Sequence, residues 1–389
     1  MDQFEFTSPT RFILEKDADL LCGREVKRYA DNVLFVHYGD KYIYESGLHT
    51  RITRALGEAG VTCFELPGVQ PNPRVELVRE GIEICRKENV GCVLAVGGGS
   101  VIDTAKGISI GVKYAGDVWD FYSHRALPKE ALPVGTVMTL PATGSEGSNG
   151  SVLKNTETNE SADVMADCLR PAFTLMNPDL TLTLPRRQTV FGIVDMFSHV
   201  LERYFSSSRE TYLTDYMCEA VMKSILVNAG ILMSNLDNYN ARAELMWTAI
   251  VAHNGVLGTG RGQDWATHTM GAQLSAQYNA VHGATLSVLF PNWAEYVYQA
   301  NIPRFVQFAD RVFGVDIDLY HQENTAKEGI QKLREFFGFL GAPATLRDIG
   351  VENDEKFSEM AKNACRFGKI GGLKILDADD VEAIYRMSL

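Results

Sequence analysis

Positive charge is scarce in this chain of 389 residues. Lys and Arg total 37 against 49 Asp and Glu, a formal net charge of −12 at neutral pH. No run of Lys or Arg offsets that deficit. A nucleic-acid binder needs a basic face to meet phosphate, so that class of partner is excluded. Long apolar runs are also missing, and without about 18 consecutive apolar residues no membrane span is expected. The opening stretch MDQFEFTSPTRFILEK holds acidic residues and no apolar core of signal-peptide length. The seven cysteines (Cys22, Cys63, Cys85, Cys92, Cys168, Cys218 and Cys365) are odd in number, and none pair as CxxC. Reduced, buried thiols in a cytoplasmic protein are expected rather than a disulfide framework or a zinc knuckle. There is no repeat of fixed period and no low-complexity tract. The Ser/Gly-rich segment ATGSEGSNGS (142–151) lacks the nucleophile-elbow pattern, and no Ser–His–Asp or Cys–His arrangement stands out.

What is present is an ordinary globular composition, 46% hydrophobic and 22% charged, on a chain long enough for two domains. The first half alternates between two periods. NVLFVH (32–37), VTCFEL (61–66) and GCVLAVGGGS (91–100) are strand-like; the last runs into glycines. Between and after them, 42–60, 72–90 and 101–112 carry helical patterns. Near-continuous apolar strands alternating with helices predict a parallel sheet covered on both faces. After about residue 186 the strand signals stop. Helical patterns follow at 186–204, 209–235, 240–257, 263–277, 283–298 and 301–313. The expected architecture is an α/β domain over 1–185 and an all-helical domain over 186–389, joined at TLTLPRRQ (181–188).

The glycine turn is the first chemical signal. Gly97, Gly98, Gly99 and Ser100 lie between a strand and a helix. Bare backbone N–H groups there can meet a phosphate, and the helix dipole adds partial positive charge. The spacing is neither GxGxxG nor a P-loop, and a tight strand–helix connection is the alternative to the favoured phosphate reading. Asp40 follows the first apolar run. A carboxylate there can bond a ribose 2′-OH and repel a 2′-phosphate, or it can be a turn residue or a helix N-cap.

The second signal is a set of metal-ligand residue types. Asp195 and His199 are four apart in FGIVDMFSHVLERYFS, so they leave one helix face a turn apart. Such a pair is also a common polar contact with no metal. Adding His268 and His282 makes three imidazoles and one carboxylate, a set suited to iron(II), zinc, manganese or nickel. Four ligands with one open face would be catalytic rather than structural. His253 reads as a core histidine. His37, His49, His124 and His321 have no partner that sequence identifies.

Together these motifs resemble the iron-containing (group III) alcohol dehydrogenases, in particular butanol dehydrogenase-like members. The resemblance runs through SPTR, GDK, QPNP (70–73), GGGSVIDTAK (97–106), TLPATGSE (139–146), NPDLTLTLP (177–185), GIVDMFSHVLE (192–202), THTMGA (267–272) and AVHGATLSVLFP (280–291). It implies a dinucleotide-binding α/β domain followed by a helical metal-binding domain, an architecture shared with dehydroquinate synthase, with cofactor and metal meeting in the cleft. It places the metal ligands on Asp195, His199, His268 and His282. It places the pyrophosphate turn on Gly97, Gly98, Gly99 and Ser100, with Asp103 just inside the helix. Thr139 and Thr143 fall on the nicotinamide side, and Asn72 on a cofactor contact. The activity implied is reversible hydride transfer between NAD(P) and a primary alcohol such as butanol, at a metal acting as Lewis acid, in a homodimer. Iron(II) is the expected metal. Asp40 favours NAD, while Lys41 offers a 2′-phosphate an alternative partner.

Three departures from the family pattern stand out. Ala272 replaces a histidine that many members carry four residues after the third ligand. Ser161 replaces a lysine, and Glu15 a glycine. The alternatives are a glycerol or polyol dehydrogenase, an NAD-using lyase of the 3-dehydroquinate synthase type, or a nucleotide-binding protein with an idle metal site.

Overall fold

Eight short strands form in the first half of the chain: β1 (Arg11–Leu14), β2 (Asn32–His37), β3 (Thr62–Leu66), β4 (Cys92–Gly97), β5 (Val134–Met138), β6 (Gly150–Asn155), β7 (Glu160–Met165) and β8 (Phe173–Met176). Six of them make one sheet in the order β1-β8-β5-β4-β2-β3. All its neighbours run parallel. The computed structural model describes residues 1–158 and 160–389.

The strand sequences explain why both faces are covered. Side chains alternate along a strand, and in β2 and β4 both alternating sets are apolar. Leu34, Val36, Val93 and Ala95 join one core with Val78, Ile82, Val101 and Ile108. Val33, Phe35, Leu94 and Val96 join the other with Val26, Ile52 and Leu56. The helices that supply these partners are α1 (Cys22–Lys27), α2 (Lys41–Glu45), α3 (Leu48–Glu58), α4 (Val75–Lys87), α5 (Gly99–Val112) and the short α6 (Trp119–Tyr122). The helical pattern over 42–60 forms two helices rather than one. The chain breaks at Ser46–Gly47, where Gly47 is left-handed (φ 77°) and opens α3.

The chain order reverses direction between β2 and β4, which are adjacent in register from Val33↔Cys92 to His37↔Val96. In open α/β sheets, ligands bind outside the carboxyl ends of strands at such a reversal. Asp40 and the glycine turn follow directly from those two ends. The antiparallel hairpin β6–β7 stands apart from the sheet.

The second half is helical: α7 (Arg186–Tyr204), α8 (Tyr212–Ser234), α9 (Tyr239–His253), α10 (Ala266–Tyr278), α11 (His282–Val297), α12 (Ile302–Phe313), α13 (Gln322–Leu340), α14 (Phe357–Ala364) and α15 (Ala378–Met387). Packing divides the chain into two compact units. One holds Thr7–Leu184 and Asp237–Ile250; the other holds Met1–Phe6, Pro185–Leu236 and Val251–Leu389. A single cut at 185/186 therefore misses two short exchanges. Met246 and Ile250 of α9 pack with Phe12, Met138 and Met176 of the α/β unit. Asp2 bonds Gly260 and Ser208 of the helical unit.

By length and composition alone, α8 could cross a membrane. Only 39% of its apolar window is buried, and the buried face carries charged residues. Its Asp215 is buried between Arg261 and Arg304, and its Glu219 accepts from Tyr204, Gln307 and Arg311.

Candidate metal centre and cofactor turn

On α7, Asp195, His199 and Glu202 stand at i, i+4 and i+7, one face of a helix. All three are buried. Helix α10 contributes His268, and His282 is the first residue of α11. Close backbone approach places that start. A Cβ on Gly283 would lie 2.3 Å from the carbonyl oxygen of Phe191 on α7, so only glycine allows the contact.

Three imidazoles converge on one carboxylate oxygen. Asp195 Oδ1 lies 3.5 Å from His199 Nδ1, 3.8 Å from His268 Nε2 and 3.7 Å from His282 Nε2. Donor atoms of Asp195, His199 and His268 fall within 4.8 Å of one another. Asp195 Oδ1, His199 Nδ1 and His268 Nε2 are buried with no hydrogen-bond partner among the described residues. Buried polar atoms are normally paired, and leaving three orphaned together is costly. A divalent cation resolves this, since donors on bonds near 2.1 Å sit roughly 3.0–3.4 Å apart around a metal. The residues therefore fit a metal. His282 is a third exposed, which leaves that side of the cluster open.

The surroundings tune the imidazoles. Burial, and then the neighbouring His253 and His268, hold His199 well below the usual histidine range. Burial also lowers His282, against the pull of Asp195. At His268 burial acts downward too, but the carboxylates of Asp195 and Glu202 outweigh it and the net direction is up. His268 Nδ1 lies 2.8 Å from Glu202 Oε1. Glu202 also accepts from the backbone N–H groups of Trp265 and His268 and from the Thr267 hydroxyl.

The glycine turn is built differently. Tyr38 packs over it, its ring edge and hydroxyl 3.2 and 3.3 Å from where a Cβ on Gly97 and on Gly98 would lie, and burial pushes that phenol up to about 12. A Cβ on Gly99 would lie 2.6 Å from the side chain of Thr143. Thr143 Oγ1 accepts from the Ser145 N–H, and the Thr139 N–H donates to Gly97 O. Thr139 and Thr143 are thus held beside the turn from the far end of β5. Asp103 is engaged within the α/β unit: Ser145 Oγ donates to Oδ1 and Val152 N–H to Oδ2. It ties the 143–152 segment to α5. Asn72 adopts the left-handed region (φ 56°) in the turn that enters α4. Asp40 is the N-cap of α2, with Oδ1 accepting from the Ile43 N–H.

Sequence reading missed several residues here. Glu202 completes a visible i, i+4, i+7 face, so its signal was present. His253 stands beside the metal cluster rather than in a separate core, its ring centroid 4.2 Å from that of His199. His37 and His49 meet Glu65, at 3.8 and 3.0 Å. The Gly39 N–H donates to His37 Nδ1, so the ring proton sits on Nε2 facing Glu65. That cluster is a histidine–carboxylate contact rather than a second metal site, because the nitrogen facing it has no lone pair to give. Ala272 is half-buried one turn beyond His268, Ser161 lies in β7, and Glu15 is exposed just past β1.

The same sequence matches two family models end to end: iron-containing alcohol dehydrogenase over residues 9–178, and the C-terminal part of the Fe-containing alcohol dehydrogenase family over 189–389. The chain belongs to the iron-containing alcohol dehydrogenase family. Among its relatives, probable NADH-dependent butanol dehydrogenase 2 of Bacillus subtilis is 42% identical over 100% of both chains. NADH-dependent butanol dehydrogenase A of Clostridium acetobutylicum is 40% identical, again over 100% of both. The crystal structure of NADH-dependent butanol dehydrogenase A from Thermotoga maritima matches with a TM-score of 0.95 at 34% identity, covering 100% of this chain and 99% of the other.

Proposed function

We propose that this iron-containing alcohol dehydrogenase family member interconverts a short primary alcohol and its aldehyde, butanol and butanal being the reference pair, with NADH as the preferred cofactor. One observation carries the reading: two orphaned imidazole nitrogens and His282 Nε2 gather around the orphaned Asp195 Oδ1 in a buried cluster with one open side. Asp195, His199, His268 and His282 would hold the metal, with iron(II) the family's expectation. A divalent cation in that position supplies Lewis-acid polarisation of a substrate oxygen.

The chain's own residues do the rest. Asp195 contributes negative charge that offsets the cation, and the depressed basicity of His199 and His282 keeps those rings neutral and able to donate a lone pair. The backbone N–H groups of Gly98, Gly99 and Ser100 open α5 and receive the cofactor pyrophosphate. Asn72 and Ser100 would contact the cofactor, and Thr139 and Thr143 would seat its nicotinamide end. Asp103 acts by holding the 143–152 segment in place. Asp40 keeps one carboxylate oxygen for the ribose 2′-OH while the other caps α2. A nicotinamide held there would supply the hydride chemistry, the redox change being the cofactor's own. With alanine at 272, no imidazole at that position takes part in proton transfer.

The release of oxidised cofactor separates this reading from lyase chemistry, in which NAD is regenerated within the cycle. Purified protein supplied anaerobically with iron(II) and butanal should consume NADH stoichiometrically, and NADPH more slowly. A polyol-derived ketone reduced faster than butanal would move the substrate to the polyol class. No consumption with any aldehyde or ketone would sink the dehydrogenase reading.

A further inference from the structure

We infer that Glu202 is a positioning residue for the metal site: it holds the Nδ1 proton of His268 and so presents the Nε2 lone pair to the cation. This inference rests on the metal reading above. Glu202 is fully buried, and each group bonded to its carboxylate is a donor. Oε1 receives His268 Nδ1–H at 2.8 Å, the His268 backbone N–H at 3.2 Å and the Thr267 hydroxyl. Oε2 receives the Trp265 N–H at 2.7 Å. An ionised carboxylate, which only accepts, suits four donors; a glutamine would turn an NH2 group against at least one of them.

The consequence falls on the tautomer. A neutral imidazole has one N–H and one lone pair. A lone pair on Nδ1 would face a carboxylate oxygen at 2.8 Å, which is repulsive. With the proton on Nδ1, the lone pair is on Nε2, and Nε2 faces Asp195 Oδ1 at 3.8 Å. Lone pair and carboxylate tolerate one another there when a cation lies between them. Donation of the second ring N–H to a carboxylate is the usual support of a metal-bound histidine. Trp265 makes the contact sturdy. It takes a left-handed backbone (φ 65°) at the start of α10, which aims its N–H at Glu202. One helix, α7, therefore carries two ligands and the buttress of a third.

The test is a double-mutant cycle on zinc affinity, measured on the full-length protein by competition with a chelating dye. Glu202→Gln should weaken zinc binding about 10–100-fold, while NADH affinity stays within about twofold of wild type. In a His268→Ala background the same change should have less than about a twofold effect, because the residue it positions is gone. An equal loss in both backgrounds would mean that Glu202 only supports the fold, and unchanged zinc affinity in Glu202→Gln would equally overturn the inference. If Glu202→Gln does not fold, Glu202→Asp, which keeps an accepting carboxylate, is read in the same cycle. Failure of the wild-type protein to bind zinc would instead strike the metal reading itself.

Discussion

The glycine turn and the metal cluster solve opposite problems. The turn is made of backbone. A Cβ at Gly97, Gly98 or Gly99 would meet Val101, Leu140, Thr143 or the ring of Tyr38, so the turn is defined by the side chains it lacks. The cluster is made of side chains. It depends on three helices bringing Asp195, His199, His268 and His282 together, and on Glu202 and Gly283 behind them. A site of backbone amides is insensitive to chemistry and sensitive to volume. A site of ligands is sensitive to both. The two should therefore fail separately under mutation.

The sharpest break is His268→Ala. Losing a ligand removes the Lewis acid, which contributes several kcal/mol, so butanal reduction should fall on the order of 10³-fold. NADH binding, followed by fluorescence, should survive; a joint loss of both would show that the two regions are not independent. Gly99→Val is the mirror experiment. Its new side chain meets Thr143, and overpacking of about 1–3 kcal/mol predicts roughly a 10–100-fold loss of NADH affinity with metal content intact. Gly283→Ala tests whether position alone matters. The Cβ meets Phe191 O at 2.3 Å, so α11 must shift, costing about 1–3 kcal/mol of stability and some metal affinity. An unchanged melting temperature would show that α11 moves freely. Asp40→Gly should have the smallest effect. Glycine is a tolerable N-cap, costing only about a few tenths of a kcal/mol, so stability barely changes while the NADH-over-NADPH preference in kcat/KM should drop by about tenfold, the worth of roughly one repelled contact. A preserved ratio would show that Asp40 caps α2 and does nothing more.

How much of this could be read in advance follows from the same contrast. The turn was legible because it is local: VGGGS sits where a strand pattern gives way to a helix pattern. The Asp195/His199 pair was legible because a helix repeats every 3.6 residues. His268 and His282 are identifiable as residue types, but their meeting with α7 needs tertiary packing across the 69 and 83 positions that separate them from His199. His253 was read as core because nothing in its own segment, AIVAHNGVLG, reveals that it faces His199. The β6–β7 hairpin escaped because GSVLKN and ESADVM alternate weakly and are short. Segment 42–60 kept its helical period on both sides of Gly47, so periodicity alone did not show the break. The exchange of Asp237–Ile250 into the α/β unit is invisible to any pattern, since the segment reads as one more helix of the second half with no marked apolar face.

The most direct test of the central claim, that side chains of the helical unit hold a metal required for turnover, uses one preparation measured twice. Metal content, NADH affinity and butanal reduction are determined before and after chelation. The account predicts that chelation removes bound divalent metal and the reductase activity together, that NADH affinity stays within about twofold, and that iron(II) restores turnover. Full butanal reduction by the metal-stripped protein would contradict it.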